Sequence, residues 1–240
     1  MSSSTLNGAT RVHLIVGDPI AQVKSPAGVT DAFNARGHNA VCVPAHVAPD
    51  NLIAWLAGTT LSQNVDGIIV TVPHKFAAYG LCATASDRAR FLQTANVMRR
   101  NADGRWHGDM FDGLGYVEAM RERGCNPAGK RALLVGAGGA GSAIAHSLVM
   151  AGVSELVIYD ESATRLATLV ERLNGLQGVP VRAGTADPTG FDIALNATPI
   201  GMKETDPMPI DASKFTPQMH VGCVITAPAI TPMIAAARAL

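Results

Sequence analysis

The chain has 240 residues and a mass of 24.9 kDa, and its 48% hydrophobic content supports a sizeable core, which excludes wholesale disorder. Nineteen basic residues balance nineteen acidic ones, so the basic excess typical of nucleic-acid-binding and membrane-surface proteins is missing. The four cysteines form no CxxC pair, which argues against a zinc site or a disulfide framework and favours the reducing cytoplasm. Met1–Thr5 lacks the pattern of a signal peptide, and five glycines interrupt the uncharged stretch 133–154, so no membrane span is expected.

Apolar runs alternate with amphipathic stretches, which is typical of βα units around a largely parallel sheet. In the first half, the pattern predicts strands at 12–16, 40–47 and 68–72 and helices at 26–36, 49–57 and 87–95. Ser25 is expected to cap the first of these helices. Residues 96–100 and 105–109 flank Asp103-Gly104, which indicates a β-hairpin. A helix at 113–123 should end at Gly124.

A second βα series follows. Strands are predicted at 132–135, 155–160, 180–183, 192–197 and 220–226. Three helices are predicted: one at 142–151, one that follows the second strand and ends at residue 173, and one that begins at residue 231. The chain is therefore expected to form two α/β halves.

A glycine-rich segment follows the first strand of the second series. Gly136, Gly138 and Gly141 form the pattern GxGxxG, with Gly139 and Ala140 inside it, between a predicted strand and a predicted helix. In a dinucleotide site the three glycines allow a tight turn, close approach of the pyrophosphate, and packing of helix on strand. The helix N-terminus attracts the phosphates. The segment therefore predicts a dinucleotide site.

Asp160 ends the next strand, where dinucleotide-binding proteins carry the acid that binds the ribose. A carboxylate there accepts hydrogen bonds from the ribose diol and repels a 2′-phosphate, which favours NAD over NADP. The alternative is that Asp160 caps the following helix. Arg165, one turn into that helix, keeps NADP open as the cofactor.

Two segments carry candidate groups for proton transfer. Lys75 follows the apolar strand that ends at Val72-Pro73, and a lysine can act as a general acid or base if its surroundings lower its pKa. Asp109 and Asp112 lie in a glycine-rich turn that enters a helix, which either aspartate could cap. Lysine and aspartate could form an ion pair that shuttles one proton.

These segments, taken with several others, resemble the shikimate/quinate dehydrogenase family. The resemblance covers roughly residues 11–240 and also includes the segments 17–20, 24–26, 196–202 and 228–232. It implies an enzyme that interconverts a secondary alcohol and a ketone on a hydroxylated cyclic carboxylate, using NAD or NADP. It also implies that Lys75 is the catalytic lysine and Asp112 its partner. Ser25, Thr71 and Asn96 would bind substrate, and Thr198 and Met202 would lie beside the nicotinamide.

The chain departs from the family pattern at several positions. Val23 replaces the first of two serines, Gln22 replaces a common histidine, and Met110-Phe111 replace the usual Asn-Thr. Val97 stands where the family has threonine after its asparagine, and the family's C-terminal segment, with a glutamine that contacts substrate, has no counterpart up to Leu240. Fewer polar partners for the substrate carboxylate leave the natural substrate open.

We therefore predict an N-terminal α/β substrate domain, 1–110, a Rossmann-type dinucleotide domain, 111–226, and a C-terminal helix, 227–240, that returns toward the substrate domain. The expected enzyme binds a small hydroxy acid and NAD or NADP, binds no metal, nucleic acid or membrane, and is a monomer or homodimer. One alternative is a dehydrogenase for a related hydroxy acid such as quinate or an amino analogue. The other is a ligand-binding module with little turnover.

Overall fold

The computed structural model describes residues 6–203 and 205–240. The expectation that no signal peptide is present concerns Met1–Thr5, which lie outside the described residues. The chain divides into two compact units, Met1–Met110 and Phe111–Leu240. Among the described residues, no helix has the length and apolar character needed to cross a membrane.

The first unit is built on a six-stranded mixed sheet in the order β2-β1-β3-β5-β6-β4. Its strands are β1 (Arg11–Gly17), β2 (Ala40–His46), β3 (Val65–Val70), β4 (Thr84–Ala85), β5 (Val97–Arg100) and β6 (Trp106–Asp109). Its helices are α1 (Ser25–Ala35), α2 (Leu52–Leu61), α3 (Lys75–Gly80) and α4 (Asp87–Leu92). Strands β1, β2 and β3 are parallel, whereas β5 runs antiparallel to both β3 and β6. The predicted hairpin is confirmed, and its reversal makes this sheet mixed rather than largely parallel.

The structure corrects two predicted boundaries in this unit and adds one helix. Strand β3 ends at Val70, two residues earlier than expected, because Thr71 to His74 form a turn around Pro73, which has no N–H to donate. Helix α3 was not predicted, because six residues are too few to show a helical period. A short 3₁₀ turn at Pro49–Asn51 precedes α2, so the expected single helix at 49–57 begins later and extends to Leu61.

The edges of the first sheet are β2 and β4. Strand β2 has seven residues and includes the exposed Pro44, which pairs with Ile15 of β1. Strand β4 has two residues. The core of this unit lies against the central strands and is formed by buried Val16, Ile68 and Met98 together with Trp106.

The second unit has a fully parallel five-stranded sheet in the order β11-β10-β7-β8-β9. Its strands are β7 (Arg131–Val135), β8 (Glu155–Tyr159), β9 (Val181–Ala183), β10 (Ile193–Asn196) and β11 (His220–Cys223). Its helices are α5 (Asp112–Glu122), α6 (Gly139–Met150), α7 (Ala163–Asn174) and α8 (Pro232–Arg238). The α/β class expected from the sequence is confirmed in both units.

The inner strands of this sheet are apolar over most of their length, as is typical of strands covered on both faces. Residues 132–135 of β7 and 193–196 of β10 are all buried. Met233 of α8 packs into the core with Leu133 and Phe215, so the C-terminal helix is part of the second unit's core. Whether it also returns toward the first unit stays a prediction.

Candidate functional site

The carboxyl ends of β1, β2 and β3 meet at one edge of the first sheet. The N–H of Thr71 donates to the carbonyl of Val16 at 2.9 Å, and the N–H of Asp18 donates to the carbonyl of Val72 at 3.0 Å. A side chain at Gly17 would collide with the methyl group of Thr71, so this glycine allows the two segments to approach closely. The close approach holds Thr71 at the carboxyl edge of the sheet, where open α/β folds bind ligands.

Backbone hydrogen bonds bring Thr71, Lys75 and Asn96 together. The carbonyl of Asn96 accepts from the N–H of Val70 at 2.7 Å, beside Thr71, and the carbonyl of Lys75 accepts from Ala95 at 2.9 Å. Asn96 is only 7% exposed, while Thr71 and Lys75 are half-buried. These three predicted site residues therefore form one cluster.

Ser25 is not tied into that cluster by the same hydrogen bonds. It was expected to cap α1, but it is the first helical residue, and the preceding Lys24 makes no side-chain cap bond. The expectation was wrong because Pro26 fits either of the first two helical positions, which shifts the boundary by one residue. Ser25 is half-buried at the start of α1.

Asp109 has a structural partner that sequence reasoning missed. Its carboxylate accepts two hydrogen bonds from the Arg88 guanidinium, both of 2.7 Å, and others from the Ser86 hydroxyl and the Met110 N–H. Burial opposes the charged form, but these donors hold the pKa of Asp109 below its ordinary value. Asp109 therefore does not cap the next helix, and its charge is balanced within the first unit. No local signal relates Arg88 to a residue two elements further along the chain.

Asp112 is the first residue of α5 and belongs to the second unit, whereas Lys75 belongs to the first. Phe111 precedes the helix and makes no side-chain cap bond, so Asp112 lies inside the first turn rather than at the cap. A negative charge there interacts favourably with the helix dipole. A side chain at the adjacent Gly113 would collide with the Ala143 carbonyl, so α5 lies directly against α6.

The glycine-rich turn of the second unit has the geometry of a dinucleotide-binding loop. Gly136 has φ +110°, and its N–H donates to the carbonyl of Tyr159 at 2.7 Å. A side chain at Gly141 would collide with the Gly136 carbonyl, so α6 packs closely on the turn. At Gly138, by contrast, no heavy atom lies within 4 Å of an added Cβ. Gly139 and Ala140 begin α6 and present its N-terminal N–H groups, which lack partners within the helix. The residues thus fit a pyrophosphate.

Asp160 is held by three donors at the end of β8. One carboxylate oxygen accepts from the N–H of Ala137 at 2.7 Å, and the other accepts from the N–H of Ser162 and from the Arg165 guanidinium, both at 2.8 Å. Its side chain is 7% exposed, and although burial opposes the charge, these bonds lower its pKa. The alternative that Asp160 caps α7 is wrong, because the Ser162 hydroxyl is the cap. Asp160 also fixes the glycine turn through Ala137, which spacing alone does not show.

Thr198 and Met202 follow β10 in a loop that Asn196 organises. The Asn196 side-chain oxygen accepts from both the N–H and the hydroxyl of Thr198, at 3.0 and 2.7 Å. The Thr198 methyl group would lie 3.0 Å from a Cβ at Gly136, so this loop adjoins the glycine turn. Met202 is exposed at the far end of the loop, after Gly201 with φ +106°. Asn196 is a positioning residue that the sequence motif contained without a stated role.

Among the described residues, no three His, Cys, Asp or Glu side chains are grouped so that they could hold a metal ion. Each unit thus carries its own group of candidate residues: the first has the cluster at the carboxyl edge of its sheet, and the second has the glycine turn with its neighbouring loop.

Comparison with known proteins relates both units to one family. Residues 15–98 match the family model for the shikimate dehydrogenase substrate binding domain. A shikimate dehydrogenase (NADP(+)) of Rubrobacter xylanophilus is 36% identical over 243 residues, which cover 99% of this chain and 85% of that protein.

Solved structures of the same fold include enzymes named for different substrates. Shikimate 5-dehydrogenase of Listeria monocytogenes, in complex with shikimate and NAD, matches with TM-score 0.85 and 25% identity, covering 98% of this chain and 85% of that one. The 5-ketofructose reductase of a Gluconobacter strain matches with TM-score 0.84 and 27% identity, covering 98% of this chain and 86% of the other.

Proposed function

The chain belongs to the shikimate dehydrogenase family of CH–OH oxidoreductases, and on that premise we propose that it interconverts a ring alcohol and its ketone on a shikimate- or quinate-like carboxylate with NAD(P). The observation that carries the proposal is that one chain combines the Thr71, Lys75 and Asn96 cluster with a glycine turn built to admit a pyrophosphate.

In this proposal Lys75 exchanges the proton of the substrate hydroxyl. The nicotinamide, when bound, accepts or donates the hydride. Lys75 is suited to the proton because it begins α3, half-buried beside two polar side chains that can hold hydroxyl groups, Thr71 and Asn96. Asp112 is the charged partner that the family resemblance implies for Lys75. Ser25 and Asn96 would hold the carboxylate and hydroxyl groups that orient the ring.

The direct test replaces Lys75 by methionine, which keeps the length of the side chain and removes its amine. We expect Lys75→Met to lower kcat at least about 100-fold, the low end for general acid–base catalysis, while the Kd for the dinucleotide is unchanged. Lys130→Met, one residue before β7, is the matched control and should keep normal turnover. Near-normal kcat in Lys75→Met would contradict the assignment.

We further propose that NAD is preferred over NADP, although the Rubrobacter relative is named for NADP(+). Asp160 and the exposed Glu161 place two carboxylates after β8, where a 2′-phosphate would meet negative charge. Arg165 supplies a positive charge nearby, but this charge is paired with Asp160. A ribose diol has no charge to repel and can donate to the remaining lone pairs of Asp160.

Fluorescence titration with NADH and NADPH tests this preference. Asp160→Ala would also release the Ala137 N–H and so loosen the glycine turn for both cofactors. Asp160→Asn keeps an oxygen that can accept from the Ala137 N–H and removes the charge. It should therefore weaken the binding of NADH, strengthen the binding of NADPH, and so reduce the difference between their Kd values. Arg165→Gln should weaken NADPH alone. Tighter NADPH than NADH binding in the unmodified protein would refute the preference.

Val23 supports a narrower proposal about the substrate. It is half-buried, two residues before Ser25, and it cannot donate the hydrogen bond of the serine that the family usually has there. Phe111 is apolar where the family has a small polar residue. We expect shikimate to be used with a high KM, and Val23→Ser with Phe111→Thr to lower that KM about tenfold, if about 1–1.5 kcal/mol of hydrogen bonding is regained.

A second candidate substrate class is a polyhydroxylated ketone without a carboxylate. The loss of one carboxylate partner at Val23 favours it, and a 5-ketofructose reductase shares the fold. A panel of shikimate, quinate, an amino analogue and 5-ketofructose with both cofactors separates these classes. Binding without turnover across the panel would instead identify a ligand-binding module.

A further inference from the structure

His74 lies directly before Lys75 and is 2% exposed, yet nothing in the proposed reaction uses it. Its Nε2 atom lies 2.8 Å from the carbonyl oxygen of Val47, in a buried hydrogen bond. Because a carbonyl only accepts, Nε2 must carry the proton and donate it. The ring therefore joins the segment that contains Lys75 to the chain that leaves β2.

This hydrogen bond completes a set of ties between three strand ends. The N–H of Val47 donates to the carbonyl of Gly17 at 3.2 Å, at the end of β1. The N–H of His74 donates to the carbonyl of Thr71 at 3.0 Å, and the carbonyl of His74 accepts from Ala78 at 2.8 Å. The His74 side chain is thus the link from the end of β2 to the turn that follows β3.

Helix α3 depends on such links. It has six residues and no side-chain cap at its start, and a helix of this length is not stable by its own hydrogen bonds. Its first residue, Lys75, is tied through its carbonyl to Ala95, and the residue before it is tied through the His74 ring to Val47. These two contacts hold the chain at Lys75 and at the residue before it.

We propose that His74 is a positioning residue for Lys75: its buried hydrogen bond to Val47 holds the first turn of α3 so that the lysine amine is presented at the carboxyl edge of the sheet. The proposal rests on the proposed role of Lys75 for its effect on turnover. Its structural part, the placement of the amine, does not depend on that role.

The test compares two substitutions of His74 with a matched control. His74→Phe keeps a ring of similar shape and removes the donor, whereas His74→Gln places an amide N–H near the position of Nε2. The control, Trp106→Phe, removes another buried ring donor of the same unit, the indole N–H that donates to the Thr60 hydroxyl at 2.8 Å. Trp106 is the first residue of β6 and Asp109 is the last. The readouts are kcat and KM with shikimate and quinate, the melting temperature, and the rate at which trinitrobenzenesulfonate labels Lys75 relative to Lys130.

We expect His74→Phe to lower kcat about 10- to 100-fold with little change in KM, since small displacements of a reacting group have effects of that size. The displacement of the amine should also change the labelling rate of Lys75 at least severalfold in His74→Phe. In His74→Gln this rate should return toward the parent value. Trp106→Phe should lower only the melting temperature.

Two results would overturn the inference. One is His74→Phe with parental labelling of Lys75, and the other is Trp106→Phe with the same effects on labelling and kcat as His74→Phe. A failure of the proposed function would give a different result. If Lys75 has no role in the reaction, Lys75→Met keeps its turnover, while the labelling of Lys75 still differs between the His74 variants.

Discussion

Helix α5 contains two glycines in its first turn, and the structure gives them opposite roles. Gly115 is exposed, with no heavy atom within 4 Å of an added Cβ. Gly113 is buried, and an added Cβ would collide with the Ala143 carbonyl oxygen and lie 2.5 Å from the Ser147 hydroxyl. Alanine substitution at the two positions should therefore change the free energy of unfolding in opposite directions.

The expected magnitudes follow from these contacts. Alanine is favoured over glycine in a helix by about 1 kcal/mol, so Gly115→Ala should stabilise the protein by about 0.5–1 kcal/mol. At Gly113 the new methyl group would lie 1.9 Å from the Ala143 carbonyl oxygen, about 1.5 Å inside the optimal contact distance, and this carbonyl belongs to the backbone of α6. Overpacking costs about 1–3 kcal/mol, and a collision with a backbone atom lies at the upper end of that range. After a helical gain of about 1 kcal/mol we therefore expect a net loss of about 2 kcal/mol.

Urea unfolding of the two variants, followed by far-UV circular dichroism, measures the difference. Tryptophan fluorescence is unsuitable because both tryptophans, Trp55 and Trp106, lie in the first unit, whereas α5 lies in the second. Gly113→Ala should also lower turnover, since Asp112 moves with the start of α5. Equal stability of the two variants, or a more stable Gly113→Ala, would refute the interpretation of the close helix contact.

Further expectations concern stability. Burial lowers the pKa of His13 and of His220 in the folded protein. Below the ordinary histidine pKa of about 6.5, these two residues therefore bind more protons in the unfolded chain than in the folded protein. Unfolding free energy should therefore fall as the pH drops below about 6.5, and the slope should flatten in a variant with both histidines changed to glutamine. Arg88→Met leaves the Asp109 carboxylate without its two-point partner and should cost about 2 kcal/mol in urea unfolding, with Asp109→Asn restoring part of the loss. Thr231→Ala removes the cap of α8 and should lower stability by about 1 kcal/mol in the same assay, whereas Thr231→Ser should not.

The local patterns in the sequence were sufficient for most of the backbone. The hairpin at Asp103-Gly104 and the strand, turn and helix around Gly136 were predicted because each depends on residues close together in the chain. The end of β3 was placed two residues late, since an apolar run does not show where the chain leaves the sheet.

The hydrogen-bond partners could not be predicted in the same way. Asp160 was placed at the end of its strand by spacing, but its bond to Ala137 depends on how β8 lies beside β7 in the folded sheet. The pairing of Arg88 with Asp109 and of His74 with Val47 likewise arises from tertiary contacts between separate elements. Sequence alone therefore pointed to the chemical groups and not to the residues that hold them.

The lengths of the four sheet edges affect how this chain behaves in concentrated solution. An exposed strand edge offers unpaired N–H and C=O groups to another chain and so promotes aggregation. Three of the edges, β4, β9 and β11, have two, three and four residues, which are too short to template a foreign strand well. The fourth, β2, has seven residues, but Pro44 interrupts its row of donors. Among the described strands, Pro44 is thus expected to protect the one long edge, and Pro44→Thr should make the protein self-associate without altering its candidate site residues.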